Sequence, residues 1–274
     1  MNFAVNFIKF FQTKTDVVPA MYGSFHLISI FLSILLGIAL CLFFRKGTPS
    51  RIRRTVLIIS IIVVLSEIIR QLAVSATITD AGELLWKIDW YKFPFQFCSM
   101  PMYVGVLQGI FKKGKIHDAL CAFLATYAIF AGICVMAFPS TIFSATVFFS
   151  VQTMLCHGTM VPIGVALMYS GHVKLGHKTI LKAMAVFAVC LFCAEALNEI
   201  VYYSGILGEG EVFNMFYVSR HFNDYGLPIY SDIHNKVPFP INLGIYFCGF
   251  SLIAYLILLI GMGMGKLAGI CKKD

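Results

Sequence analysis

Apolar and polar positions along this chain are sorted into long blocks rather than alternating residue by residue. Seven apolar stretches, at about 22–44, 55–76, 93–111, 117–138, 142–169, 181–204 and 239–264, are separated by short segments that hold most of the charge. Runs of this length cross the hydrocarbon core of a bilayer as helices, at roughly 1.5 Å of rise per residue. The pattern predicts an all-α polytopic bundle of seven transmembrane helices in a single integral membrane domain, 1–274. Ahead of the first span, Phe3, Phe7, Phe10 and Phe11 alternate with Lys9 and Lys14, as expected for a short helix lying along a membrane surface. The first span is too long for a signal peptide's apolar region and no small-residue cleavage site follows it, so it is expected to be retained. The longest polar segment, 205–237, is expected to form an outer loop.

Charge gives the bundle a direction. The alternate loops 45–54, 112–115, 170–182 and 266–274 carry fourteen of the 21 lysines and arginines. The opposite side has Lys9, Lys14, Lys87, Lys92, Arg220 and Lys236. Cations favour the cytoplasmic side, which predicts an outer N-terminus and an inner C-terminus in a multi-pass protein of the cell (plasma) membrane. Composition agrees: 59% hydrophobic and 12% charged residues exclude a soluble domain, which carries roughly a quarter charged. The net charge of +8 follows from the loops, so no nucleic-acid partner is implied.

Most of the nine cysteines lie inside apolar runs (Cys41, Cys121, Cys134, Cys156, Cys190, Cys193 and Cys248), where cysteine packs as a small hydrophobe. They imply no disulfide framework, and Cys190-x-x-Cys193 suits packing better than redox chemistry. There is neither a phosphate loop nor a serine nucleophile elbow, and nothing calls for a cofactor. His221, Asp224, Asp232 and His234 are ligand types without ligand spacing, so no metal site is expected. His172 and His177, on an inner loop, are expected to be solvated.

Candidate chemistry lies at two places where proline interrupts an apolar run: Pro94-Phe95-Gln96-Phe97-Cys98-Ser99-Met100-Pro101 and Met154-Leu155-Cys156-His157-Gly158-Thr159-Met160-Val161-Pro162. Proline removes an N–H and clashes with the preceding turn, so it bends or starts a helix. In hydrocarbon a freed carbonyl needs a partner, which places such breaks against protein or a cavity. With the predicted topology, His26, Glu67, Arg70, Cys98, His157, Glu195 and Asn198 share a depth band in the middle to outer part of the bundle. Ionisable groups at that depth usually face the interior or a watery cavity. Glu67 and Arg70, spaced i, i+3, also suit mutual neutralisation. Glu195 and Glu199 share one helix face close enough to the boundary to snorkel.

Alone, Cys98 would be a packing cysteine and His157 a core histidine. Together they suit nucleophile and proton carrier. Ser99 is expected to cap a helix beginning at Met100-Pro101, leaving the thiol at a helix N-terminus whose amides would stabilise a thiolate or an oxyanion.

These residues carry a resemblance. Phe25-His26-Leu27, Phe93-Pro94-Phe95-Gln96-Phe97-Cys98-Ser99, His157 and Asn198 make the chain, over most of its length, similar to the YwaF-type bacterial integral membrane proteins. That family is related to a eukaryotic TMEM acyltransferase of ether phospholipids. Gln96 stands where the family pattern has histidine, and Cys156 where a second histidine often precedes His157. The resemblance implies a cysteine nucleophile at Cys98, a catalytic histidine at His157 and an acyl-thioester route between lipids. Glu67, Arg70 or Asn198 would orient the histidine or bind a headgroup; His26, Gln96 and Glu195 complete the candidate substrate-binding and supporting set. The expected function is a membrane-embedded lipid acyltransferase, or a hydrolase if water is the acceptor, acting on a phospholipid or lysophospholipid. The alternatives are a transporter or solute-binding protein using the same polar band and, less readily, a non-enzymatic scaffold.

Overall fold

The computed structural model describes residues 3–139, 142–222, 230–234 and 236–267. Asp224, the side chain of His234 and the lysines of 268–274, all counted above, lie outside the described residues.

Helix α1 (Phe3–Phe11) is followed by α2 (Ser24–Arg45), α3 (Pro49–Ser75), α4 (Met100–Ile110), α5 (Lys115–Leu124), α6 (Tyr127–Ala137), α7 (Val147–Tyr169), α8 (His177–Ser204), α9 (Tyr230–His234) and α10 (Phe239–Leu267). The all-α polytopic bundle is as expected. Among the described residues, six segments are long and apolar enough to cross a membrane: Ser24–Arg45, Pro49–Ser75, Lys115–Ala137, Val147–Tyr169, His177–Ser204 and Phe239–Lys266. The stretch expected as the third span contributes only the shorter apolar helix Phe97–Ile110. Its first residues follow a non-helical path set by Pro94. Two short strands, β1 (Ala76–Ile78) and β2 (Leu84–Trp86), pair antiparallel in the loop expected after α3.

Helix boundaries follow local chemistry. Thr48 caps α3, its side chain accepting from the Arg51 N–H with proline in the first turn. Gly205 ends α8 in the left-handed region at φ 67°, which glycine adopts without strain. The α1 helix buries Val5 and Ile8 while Phe3 and Phe10 stay exposed, and Gln12 Nε2 donates to the Ala73 and Ala76 carbonyls at 2.7 Å each, tying α1 to the end of α3.

The second expected break, at Pro162, is absent. Helix α7 runs unbroken through Pro162. The proline deprives the Gly158 carbonyl, four residues back, of its helical donor. Ser33 Oγ of α2 donates to that carbonyl at 2.7 Å, so the loss is made good from the neighbouring helix. The interruption lies instead between α5 and α6, where Thr126 leaves helical geometry at φ −130°, ψ −77°. Its hydroxyl donates to the Ala122 carbonyl at 2.7 Å. A Cβ on Gly164 of α7 would stand 2.6 Å from the Leu124 carbonyl oxygen, so only glycine lets α7 pack against this break.

An aromatic box fills part of the core. Phe97 packs edge-on to Phe250 at 4.8 Å between ring centroids and lies 5.6 Å from Phe187. Tyr127, stacked on Phe187 at 4.6 Å, shares a 2.6 Å hydrogen bond with Ser251. The segment expected as solvated loop is inside this core over part of its length: Phe213, Asn214, Met215, Phe216, Val218 and Ser219 are buried.

Candidate functional site

Glu67 is the hub of the buried polar groups. One turn of α3 brings Arg70 onto the same face, where Nε and Nη2 grip the carboxylate at 2.9 and 2.6 Å. Gln71 Nε2 adds a bond to Oε1 at 2.7 Å, and Gln152 Nε2 from α7 reaches Oε2 at 2.8 Å. A carboxylate taken out of water needs this many donors, and the bidentate arginine neutralises its charge. Gln71 Nε2 also donates to the Lys92 carbonyl at 2.8 Å, fastening the loop before Cys98 to α3. The expected Glu67–Arg70 neutralisation is present, and Gln152 extends it to a second helix.

Cys98 occupies a 3₁₀ turn, Phe97–Ser99, that leads directly into α4. The helix begins at Met100 with Pro101 in its first turn, as expected, but Ser99 makes no side-chain cap. The Ser99 N–H donates to the Gln96 carbonyl at 2.8 Å and the Met100 N–H to the Phe97 carbonyl. The two amides expected to face an oxyanion are therefore occupied, because a 3₁₀ turn uses donors that an α-helical start would leave free. The turn itself is held from three sides. Gln96 Nε2 donates to the Asn214 carbonyl at 2.9 Å and its Oε1 accepts from the Phe216 N–H at 2.8 Å. Phe97 sits in the aromatic box, and Tyr103 Oη donates to the Pro94 carbonyl at 2.8 Å.

His157 is buried on α7. Its Nδ1 lies 2.8 Å from the Thr153 carbonyl, which can only accept, so Nδ1 carries the proton. Nε2 is then a bare lone pair, and it has no hydrogen-bond partner. Among the described residues no hydrogen bond joins Cys98 to His157. Arg70 and Glu67 lie within electrostatic reach of Cys98, of Cys156 and of His157. A cleft of about 710 Å³, bordered by Glu67, Gln71, Trp86, Lys87, Pro94 and Tyr103, opens beside this group. Pro94 and Tyr103 flank the Cys98 turn.

The remaining expected residues divide by what they bond. His26 is fully buried, with Nδ1 accepting from the Tyr22 N–H at 2.9 Å and Nε2 donating to the Met136 carbonyl at 2.8 Å. Nδ1 thus fixes the turn before α2, and Nε2 joins α2 to α6. Asn198 is also spent on backbone: Oδ1 accepts from the Met215 N–H at 2.7 Å and Nδ2 donates to the Met215 carbonyl at 3.1 Å. Gln96 and Asn198 thus clamp opposite sides of the buried loop, whose Phe216 and Tyr217 take positive φ of 58° and 57°. Such conformations are costly for residues with a Cβ and persist where neighbours fix them. Glu195 lies 3.4 Å from Asn198 Nδ2. Glu199, expected to snorkel, is bound by Arg220 at 2.7 and 3.0 Å and by His221 at 2.9 Å.

Of the two inner-loop histidines, one departs from expectation. His177 is exposed and bonded to Tyr255 at 2.7 Å. His172, expected in solvent, is half-buried against His117, and burial together with that neighbouring ring holds its imidazole below the usual range, so it is neutral at pH 7. The sequence signal for this contact was present. His117 follows the 112–115 lysines and His172 lies on the 170–182 loop, so both fall at the lysine-rich end of the bundle.

A bundle of apolar helices around a fully ligated carboxylate, with one bare imidazole nitrogen nearby, defines an all-α multi-pass membrane protein with a polar interior. The chain belongs to the TMEM164 family, whose model matches residues 21–262. No curated protein and no solved structure is significantly similar to it.

Proposed function

We propose that this protein is a lipid acyltransferase working through a thioester on Cys98, with His157 as the proton carrier. The observation that carries the reading is the His157 ring: pinned through Nδ1 to the Thr153 carbonyl, it keeps Nε2 buried, unprotonated and unpartnered. A buried imidazole normally spends both nitrogens, as unpaired polar atoms cost roughly 1–3 kcal/mol. Leaving one bare suits a base awaiting a proton. The resemblance read from the Cys98 and His157 segments of the sequence implies the same assignment.

In the first half-reaction the Cys98 thiol gives its proton to His157 Nε2, and the sulfur attacks the ester carbonyl of a phospholipid. The S–C bond forms, the C–O ester bond breaks, and the departing alkoxide takes the proton from His157. In the second, a lysolipid hydroxyl yields its proton to His157 and its oxygen attacks the thioester. The C–S bond breaks and the thiol regains its proton. Water in place of the lysolipid makes the same cycle a hydrolysis. The Ser99 and Met100 amides are occupied and Arg70 is paired with Glu67, so the mechanism rests on Cys98 and His157 themselves. Gln96 and Tyr103 are positioning residues that hold the turn, and the adjoining cleft is the place for a headgroup. The protein would act in the plasma membrane on phospholipids of that bilayer.

The test is turnover by purified protein in mixed micelles supplied with a labelled phospholipid and a lysolipid acceptor. Acyl transfer lost in both Cys98→Ala and His157→Ala, with each variant still monodisperse, is the expected result. Transfer surviving in either removes the mechanism. The open cleft also suits a solute-binding role, which liposome uptake persisting in Cys98→Ala would favour.

A further inference from the structure

The lysine-rich end of the bundle holds a second cluster, remote from this chemistry in its contacts. His117 and Cys121 lie one turn apart on α5, and the segment linking α7 to α8 delivers His172 to the same point. His117 Nε2 is 3.2 Å from His172 Nε2 and 3.5 Å from Cys121 Sγ, and the three ligand atoms all fall within 4.8 Å of one another. His117 Nδ1 is 3.1 Å from the Gln108 carbonyl. A carbonyl only accepts, so the proton sits on Nδ1 and Nε2 presents a single lone pair. Two neighbours converge on that one lone pair.

A hydrogen bond uses the lone pair once and leaves the third group out. A cation at the centre engages all three. Zinc takes imidazole nitrogen at about 2.0–2.1 Å and thiolate sulfur at about 2.3 Å in tetrahedral geometry, which sets N···N near roughly 3.3 Å and N···S near roughly 3.6 Å. The separations at His117 are close to both. The Gln108 carbonyl is the outer partner that fixes ring tautomer and orientation in such sites. Sulfur and imidazole donors select against hard cations such as magnesium and calcium. Asp118, the carboxylate on the same turn of α5, is bonded to Lys182 at 3.0 Å and so is already engaged.

We propose that His117, Cys121 and His172 form a zinc site at the lysine-rich end of the bundle, with a water in the fourth position. On binding, the Cys121 S–H proton leaves to solvent and a Zn–S bond forms, with no change in oxidation state. Because the ligands come from α5 and from the α7–α8 connection, the ion ties those two segments together, while the α4 carbonyl of Gln108 holds the His117 ring. The site is independent of the Cys98 chemistry.

The full chain, purified in detergent and equilibrated with zinc, is measured for metal content after gel filtration and for its zinc X-ray absorption spectrum. The expected result is one zinc per chain with a shell of two imidazole nitrogens and one sulfur. It should be lost in His172→Ala and Cys121→Ser and retained in Cys98→Ala and Cys156→Ala. Zinc should also raise the unfolding temperature of the unaltered chain and not that of His172→Gln. A chain that holds no zinc, a shell without sulfur, or zinc undiminished by the His172 and Cys121 changes overturns the proposal. If the substituted chains aggregate, the absorption spectrum of the unaltered chain decides by itself.

Discussion

Two buried histidines of this bundle face the same problem and meet it in opposite ways. His26 on α2 has no exposed surface and spends both ring nitrogens on backbone, the Tyr22 N–H and the Met136 carbonyl. His157 on α7 is buried to nearly the same degree, yet bonds only the Thr153 carbonyl of its own helix and leaves Nε2 bare. Burial does not separate the two; satisfaction does. A ring with both nitrogens engaged is a strut, whereas a ring with one held and one free has an orientation and an unfilled valence for a proton. The same contrast sorts the other polar groups. Gln96 and Asn198 are spent on the 214–216 loop, while Glu67 is spent on Arg70, Gln71 and Gln152.

The sharpest way to break the contrast is to exchange the roles by mutation. His157→Ala is expected to lower acyl transfer by roughly 10²–10⁴-fold, the usual contribution of a positioned acid–base group, with little change in the unfolding midpoint. His26→Ala should do the reverse. It strands the Tyr22 N–H and the Met136 carbonyl and costs about 3 kcal/mol of stability, while turnover per folded molecule stays within about twofold. Thermal unfolding and initial rates on the same preparations check both; equal kinetic losses in the two variants would collapse the distinction.

Next in size is Glu67→Gln, which leaves the Arg70 guanidinium without its anion. Removing one partner of a buried pair should cost on the order of 3 kcal/mol, seen as a lower unfolding temperature in detergent. Gln96→Ala comes after it. Two hydrogen bonds to the 214–216 loop vanish, so about 1–2 kcal/mol is lost locally, and hydrogen exchange at Asn214–Val218 should quicken while exchange in α2 is unmoved. The smallest effect is expected from Lys87→Ala. Lys87 and Glu211 meet at 2.8 Å on the surface, where salt screens them. The Lys87 ammonium and the Gly208 N–H hold the Glu211 carboxyl below the usual carboxylate range. That contact is therefore complete at neutral pH and is lost as pH falls through the lowered value, and a titration of local exchange at 208–211 should show it.

The fold was largely legible because block patterning of apolar residues is the dominant signal in a membrane chain. The helices at Ser24–Arg45 and Phe239–Leu267 overlap the expected spans closely. Where the expectation slipped, a partner from another helix was the cause. Pro162 was expected to mark a break, but Ser33 on α2 supplies the missing donor, and nothing in the local sequence of α7 shows that. The α5–α6 interruption at Thr126 carries no proline or glycine of its own; Gly164, on a different helix, makes room for it. Likewise 205–237 is polar by composition, yet Phe213, Met215 and Phe216 are buried and Phe216 meets Phe97 and Phe187 of the aromatic box, the loop being held by Gln96 and Asn198. Residue types told where polar groups gather in depth. They did not tell which would be satisfied, since that depends on carbonyls such as those of Met136, Asn214 and Met215, which sequence does not rank. The His117–Cys121–His172 cluster was within reach, given an i, i+4 pair on one helix and a histidine on the loop at the same end.

The account turns on Cys98 as the acylated residue and on His157 as the base that makes it so. Purified protein should be treated with a lipid-like thioester-forming acyl probe and the modified peptide mapped by mass spectrometry in the unaltered chain, in His157→Ala and in His26→Ala. The account predicts label on Cys98 that collapses in His157→Ala and persists in folded His26→Ala. Label that bypasses Cys98 for Cys156 or other thiols, or that is indifferent to His157, would contradict it.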